Sequence, residues 1–268
     1  MNLSIEKYII LLKKKNMSKN TIDAYKRDLI RFESFALKKH CNLTDVNQID
    51  LREYVQSLQK NNLASSSIAR SIVSLRRFYR YLKNSGTIID NPILEYESPK
   101  IKRIIPEILT VEEVDKLLSI PDISINKGSR DKAMLEVMYA AGLKVTELIN
   151  LKVSDVNLKL SYIKCTGSSK RERIIPIGTY AINRLESYFK IRPILNKKYL
   201  GYLFLNLKGE PLTRQGFWKI IKGYALLAGI QKRIDSNTLR NSFAVHLLQN
   251  GADIKTVQEL LGQNASVV

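Results

Sequence analysis

A run of prolines and basic residues in the first half of the chain sets the strongest limit on its fold. Asn91-Pro92, then Ser98-Pro99-Lys100-Ile101-Lys102-Arg103 and finally Pro106 interrupt a sequence that otherwise reads as a series of helices. Proline lacks a backbone donor and bars the residue before it from helical angles, so no helix crosses this stretch. The 268 residues are therefore predicted to form two bodies, in keeping with the size at which single hydrophobic cores stop growing. The predicted division is a domain at 1–97, a basic linker at 98–107 and a second domain at 108–268.

The first domain reads as four helices. Leu3 to about Lys15 is the first, and a second follows Ser18 or Asn20 as N-cap and runs to about Lys39. A third is predicted from Val46 to Lys60, and a fourth from Ser65-Ser66-Ser67 to Lys83, stopped by Gly86. In the fourth, Ile68, Ile72, Leu75, Tyr79 and Leu82 recur at three- and four-residue steps and mark the buried stripe. Ser67, Arg70, Ser74 and Arg77 follow the same period on another face, where small hydroxyls among arginines suit approach to phosphates or an ordinary solvated surface.

The second domain opens on Thr110-Val111-Glu112-Glu113, a capping box that predicts a helix through Leu118. A helix is predicted from Arg130 to Ala141, ended by Gly142. Alternation over Leu158–Lys164, a turn at Gly167-Ser168-Ser169 and a strand from Arg173 to Ile177 predict a small antiparallel hairpin. Helices are then predicted over Thr179–Lys190, Thr213–Ala228, Asn237–Asn250 and Ile254–Leu261.

Charge points to the partner. Lys and Arg number 44 against 25 Asp and Glu, a net +19 that is best tolerated when a polyanion neutralises it. Both halves share it, since residues 1–107 carry 20 basic and 11 acidic side chains and the remainder 24 and 14. Cys41 and Cys165 are too few and too far apart for a disulfide framework or a zinc site, which fits a reducing cytoplasm. The apolar run Tyr8–Leu12 is too short for a signal sequence or a membrane span, and no metal or organic cofactor is expected.

Four segments of the second domain carry chemistry. They are Tyr139-Ala140-Ala141-Gly142-Leu143-Lys144-Val145-Thr146-Glu147-Leu148; the turn at Gly167 with Arg171-Glu172-Arg173 and Pro176; Asn237-Thr238-Leu239-Arg240-Asn241-Ser242-Phe243-Ala244; and His246-Leu247-Leu248 through Gly251-Ala252-Asp253 to Leu260-Leu261-Gly262. In this order and spacing they resemble the catalytic domain of the tyrosine recombinases, the phage-integrase and Xer class. The first domain is similar to the helical core-binding domain of that family. The resemblance implies a mainly α protein, with a four-helix SAM-like domain and a mixed α/β catalytic-type domain holding a small antiparallel sheet. It also implies double-stranded DNA as partner, with no membrane and no small-molecule substrate.

In that family a tyrosine attacks a DNA phosphate. Two arginines, a lysine and two histidine or tryptophan positions stabilise the developing charge and supply a proton. By resemblance the first arginine falls at Lys144, the lysine at Ser168, the first histidine at Asn237, the second arginine at Arg240 and the last histidine or tryptophan at Gln263. Lys170 or Arg171, close to Ser168, could serve after a register shift. Only Arg240 is retained. Lysine keeps charge without the planar fork, and an amide cannot exchange a proton near neutral pH. His40 and His246 are the only histidines, and neither sits at such a position. The nucleophilic tyrosine would fall beyond Val268 and is expected to be absent; Tyr199, Tyr202 and Tyr224 read as core or surface aromatics.

The resulting expectation is a duplex-DNA-binding protein of this family with impaired or absent strand cleavage, acting with itself or an active relative on DNA. Its phosphate contacts are expected at Lys19, Arg27, Arg70 and Arg77 in the first domain and at Lys144, Lys170, Arg171 and Arg240 in the second. Two alternatives stand beside it: an active site-specific recombinase of which this chain is an incomplete copy, and a generic basic nucleic-acid-binding module.

Overall fold

A computed structural model of the chain describes residues 2–94, 96, 106–167, 172–196, 198 and 201–263. The chain separates into two units, Met1–Ile104 and Ile105–Val268. Most of the predicted linker, 98–105, lies outside the described residues.

The first unit is built from α1 (Leu3–Lys14), α2 (Lys19–Lys38), α3 (Gln48–Lys60) and α4 (Ser65–Asn84). Ser18 caps α2, its Oγ accepting from the Thr21 amide at 3.1 Å, and Asn47 with Asp50 forms a capping box on α3. Beyond α4 the chain turns at Gly86, whose φ of +71° is costly for other residues. The predicted stripe of α4 is buried throughout, and Phe32 of α2 sets its ring edge-on to Tyr54 and Tyr79 at 4.9 and 6.2 Å. One member of the other predicted face departs from expectation. Ser74 is fully buried, with its Oγ donating to the Ser71 carbonyl at 2.8 Å. It faces α2, because α2 packs across α4 at that level.

The second unit runs α5 (Val111–Ser119), α6 (Asn126–Ala141), α7 (Val145–Asn150), β1 (Val156–Asn157), β2 (Tyr162–Thr166), β3 (Glu172–Pro176), α8 (Thr179–Leu195), α9 (Arg214–Leu227), α10 (Thr238–Gln249) and α11 (Ile254–Leu260). The sheet is antiparallel in the order β1-β2-β3, with Ile163 opposite Ile175 and Cys165 opposite Arg173. Helix α6 is the central element, packed against α8 and α10. It begins four residues before the predicted start, at Asn126 rather than Arg130. Those extra residues carry no apolar signal. Gly128 is needed there because any Cβ would lie 1.8 Å from the Asp122 carbonyl oxygen. The first strand departs from prediction as well: residues 158–161 form a turn, with the Leu160 amide donating to Asn157 Oδ1 at 2.9 Å, and strand geometry starts at Tyr162. Helix α8 continues past Lys190 through Pro193 to Leu195.

One buried cluster and one set of buried and half-buried contacts fix this unit. Arg130 and Asp131 are 2% and 0% exposed; Arg130 Nη1 donates to the Leu205 carbonyl at 3.0 Å, and the Tyr224 hydroxyl donates to Asp131 Oδ2 at 2.8 Å. Tyr224 is thus a core residue, while Tyr199 lies outside the described residues. The entry segment is held by α10 and the segment before it: the Leu109 amide donates to Ser242 Oγ at 2.9 Å and Lys232 Nζ to Glu113 at 2.6 Å.

Candidate functional site

The site in the second unit is organised by a carboxylate. Helix α6 ends at Gly142 in the left-handed conformation, φ +54°, and Lys144 is the N-cap of α7. Three residues on, the Glu147 carboxylate turns back to accept the Lys144 amide at 2.9 Å, satisfying one of the donors a helix start leaves open. Glu147 is buried, and Arg173 of β3 grips it with Nη1 to Oε1 at 3.1 Å and Nη2 to Oε2 at 2.9 Å. Arg240 of α10 stands on the other side, Nη1 3.8 Å from Oε2.

Both arginines also hold the end of α11. Arg173 Nε donates to the Leu260 carbonyl at 2.7 Å and Arg240 Nη2 to the Leu261 carbonyl at 2.6 Å; Arg240 Nη1 donates to the Gly142 carbonyl at 2.7 Å. One carboxylate thus joins α7, β3, α10 and the close of α11. Burial alone would raise the Glu147 pKa, but the hydrogen bonds from Arg173 and the Lys144 amide outweigh it and hold the carboxyl below its usual range. Burial lowers Arg240 from its usual value. The Cys165 thiol, beside this cluster, is pushed up to about 12 by burial, so it is protonated and no nucleophile at neutral pH.

The predicted residues are distributed unevenly around this cluster. Arg240 is inside it, 5% exposed. Lys144 is half-buried at its edge. Asn237 is exposed at the start of α10, its amide donating to Asp235 Oδ1 at 2.6 Å. Gln263 is exposed just past α11, and Gly262 before it lies against the Arg173 guanidinium. Val145 and Ser236, the neighbours of Lys144 and Asn237, line a cavity of about 520 Å³ with Arg214, Gln215, Phe217, Trp218 and Asp235. Ser168, Lys170 and Arg171 lie outside the described residues. In the first unit Lys19 and Arg27 are exposed on α2, Arg77 stands 5.8 Å over the Tyr25 ring, and Arg70 is paired with Asp28. Among the described residues no cluster of His, Cys, Asp and Glu could hold a metal ion, and no helix is long and apolar enough to cross a membrane.

Sequence reasoning gave no role to Glu147 or Arg173. The carboxylate three residues past an N-cap position was a visible signal; the partnership across a strand was not. The residues of the α9 start that line the cavity, Arg214, Gln215, Phe217 and Trp218, carried no motif.

Residues 107–266 match the pattern of the phage integrase family, and residues 5–86 match that family's N-terminal SAM-like domain. The chain belongs to the phage integrase family. Among curated members, a tyrosine recombinase XerD of Listeria innocua serovar 6a is 45% identical, the match covering 98% of this chain and 90% of the relative. One of Staphylococcus haemolyticus is 41% identical over 98% and 91%. Of solved family structures, the XerH recombinase bound to palindromic difH substrate, a post-cleavage complex, superposes with a TM-score of 0.79 at 22% identity, covering 98% of this chain and 77% of that one. A lambda integrase dimer bound to a COC' core site gives 0.78 at 18% identity over 99% and 96%. Those two likenesses establish a shared fold. The chain is thus an XerD-like tyrosine recombinase by family, mainly helical with a three-stranded antiparallel sheet.

Proposed function

We propose that this integrase-family chain binds duplex DNA in the cytoplasm and that its strand-cleavage chemistry is impaired or absent. The observation that carries the reading is Asn237. It opens α10 three residues before Arg240, exposed to solvent, at the place where the family resemblance puts a proton-exchanging histidine. An amide donates a hydrogen bond but has no proton to give the departing oxygen. Gln263 repeats the defect, and at Lys144 a flexible ammonium replaces a forked guanidinium. Each lost transition-state donor is worth about 2 to 4 kcal/mol, although groups acting together do not add.

Binding is supported separately. A net charge of +19 is divided over both domains, and the first displays exposed Lys19, Arg27 and Arg77. In this reading they contact phosphates, as do Lys144, Lys170, Arg171 and Arg240 in the second domain. Partners are duplex DNA and a second recombinase, either another copy or an active relative.

A second reading, that cleavage persists, is favoured by 45% identity over 98% of the chain to a relative named as a tyrosine recombinase. A nicked suicide duplex separates the two. A gel shift without a covalent protein-DNA adduct is the expected result. An adduct that disappears in Arg240→Ala would overturn impairment and establish cleavage through the same centre.

A further inference from the structure

The seam between α2 and α4 contains a buried acidic charge. Asp28 is fully buried. Its Oδ2 accepts from Arg70 Nε and its Oδ1 from Arg70 Nη2, both at 3.0 Å. Ser74 Oγ lies 3.4 Å from Oδ2, and Arg31 Nη1 lies 3.9 Å from Oδ1. Burying a carboxylate is costly unless it is paired, and an apolar residue of similar volume often does as well or better between two helices.

The pairing does not exhaust Arg70. Its side chain is 42% exposed, and a guanidinium carries five N–H donors, of which this fork uses two. Because the group is planar, a carboxylate held by Nε and Nη2 leaves Nη1 on the far edge. The Asp28 hydrogen bonds also raise the Arg70 pKa, so its charge is secure. One turn earlier on α2, Tyr25 carries the Arg77 guanidinium over its ring at 5.8 Å. Two residues of α2, at 25 and 28, thereby hold two arginines of α4, at 70 and 77, on one seam.

We propose that Asp28 is a positioning residue, fixing the Arg70 guanidinium so that its free edge meets a backbone phosphate of duplex DNA; this rests on the duplex-binding function above. An unpaired arginine loses rotamer entropy when it grips a phosphate, and one already locked in a fork has lost it on folding.

The test measures affinity of the full chain for a mixed-sequence duplex as a function of salt, for wild type, Asp28→Asn, Arg70→Ala and the double variant. Bare charge predicts that Asp28→Asn, which deletes a negative charge, binds DNA more tightly. Positioning predicts the reverse: binding about five- to tenfold weaker near 0.1 M salt, and a slope of log K against log salt shallower by about 0.9, the value of one phosphate. The double variant should be no weaker than Arg70→Ala. Reduced stability alone does not move a slope read on folded protein. Arg70→Lys, at an exposed position, keeps the charge without the planar fork and should also bind more weakly. Wild-type binding with Asp28→Asn equally tight or tighter, at unchanged slope, overturns the positioning role. If Asp28→Asn does not fold, wild-type affinity in Arg70→Lys overturns it. A wild type that does not bind duplex at all overturns the DNA-binding function and this inference with it.

Discussion

Glu147 is the residue on which most of the site depends. It closes the first turn of α7, neutralises Arg173 and stands beside Arg240 while buried. Removing one member of a buried ionic cluster leaves uncompensated charge, at about 3 to 5 kcal/mol. Glu147→Gln is therefore expected to lower the free energy of unfolding at neutral pH by an amount of that order, read from urea titrations. Its carboxyl is held below the ordinary value of 4.5. A depressed folded-state pKa contributes stability that is present above the unfolded value and lost as pH falls through the folded one. Wild-type stability should thus drop as pH falls below about 4.5, and the Glu147→Gln curve should be flatter over that range. Equal slopes would place the acid sensitivity in other carboxylates, such as Asp50, which Lys39 also holds low. The residue scale is also where sequence reading reached least. Arg70 and Ser74 fell on a face suited to phosphates, and only the packing of α2 reveals that Ser74 is buried and Arg70 half committed to Asp28. Asp28 itself carried no signal, since an aspartate in a charged helix reads as solvated.

Elements were far more legible, because each announced itself by period and cap. The α4 stripe, the Thr110 capping box and strand β3 follow from spacing alone, whereas β2 starts four residues later than its alternation suggested. Failures occurred where tertiary contact overrides local preference. The first turn of α6 contains Lys127, Gly128 and Ser129 and no apolar residue, yet it is helical because the Asp122 loop presses against Gly128. Helix α8 accepts Pro193 within its last turn, at the loss of the one i to i−4 bond that its missing amide would have made. Glycines at element ends give a comparative prediction. At Gly142 a Cβ would lie 2.4 Å from the Phe243 ring at φ +54°, whereas at Gly86, φ +71°, it would meet nothing within 4 Å. Left-handed backbone costs a non-glycine residue about 1 to 2 kcal/mol, and overpacking adds about 1 to 3. Gly142→Ala should therefore destabilise its unit by about 2 to 5 kcal/mol, and Gly86→Ala by the conformational part only, as thermal unfolding of the two variants would register. Comparable losses would mean that the Phe243 ring moves aside without cost.

At the scale of the whole molecule the deciding property is charge, +19 spread over both domains. A protein that neutralises several phosphates loses about 10³ or more in affinity between 50 and 200 mM salt. The full chain should show that steepness, with preference for B-form duplex over single strands or RNA of the same sequence. Indifference to nucleic-acid form would instead favour a generic basic surface. Molecular scale also gives the anchoring of α11 a further meaning. A helix of seven residues ordinarily frays, and its amides exchange with solvent through small local openings. Here its last carbonyls are tied to Arg173 and Arg240. Releasing them leaves one donor of the half-buried Arg173 and one of the buried Arg240 without an acceptor, so the helix opens only with the surrounding cluster. Amide protons of α11 should consequently exchange as slowly as those of α10, making a peripheral helix part of the domain's cooperative unit.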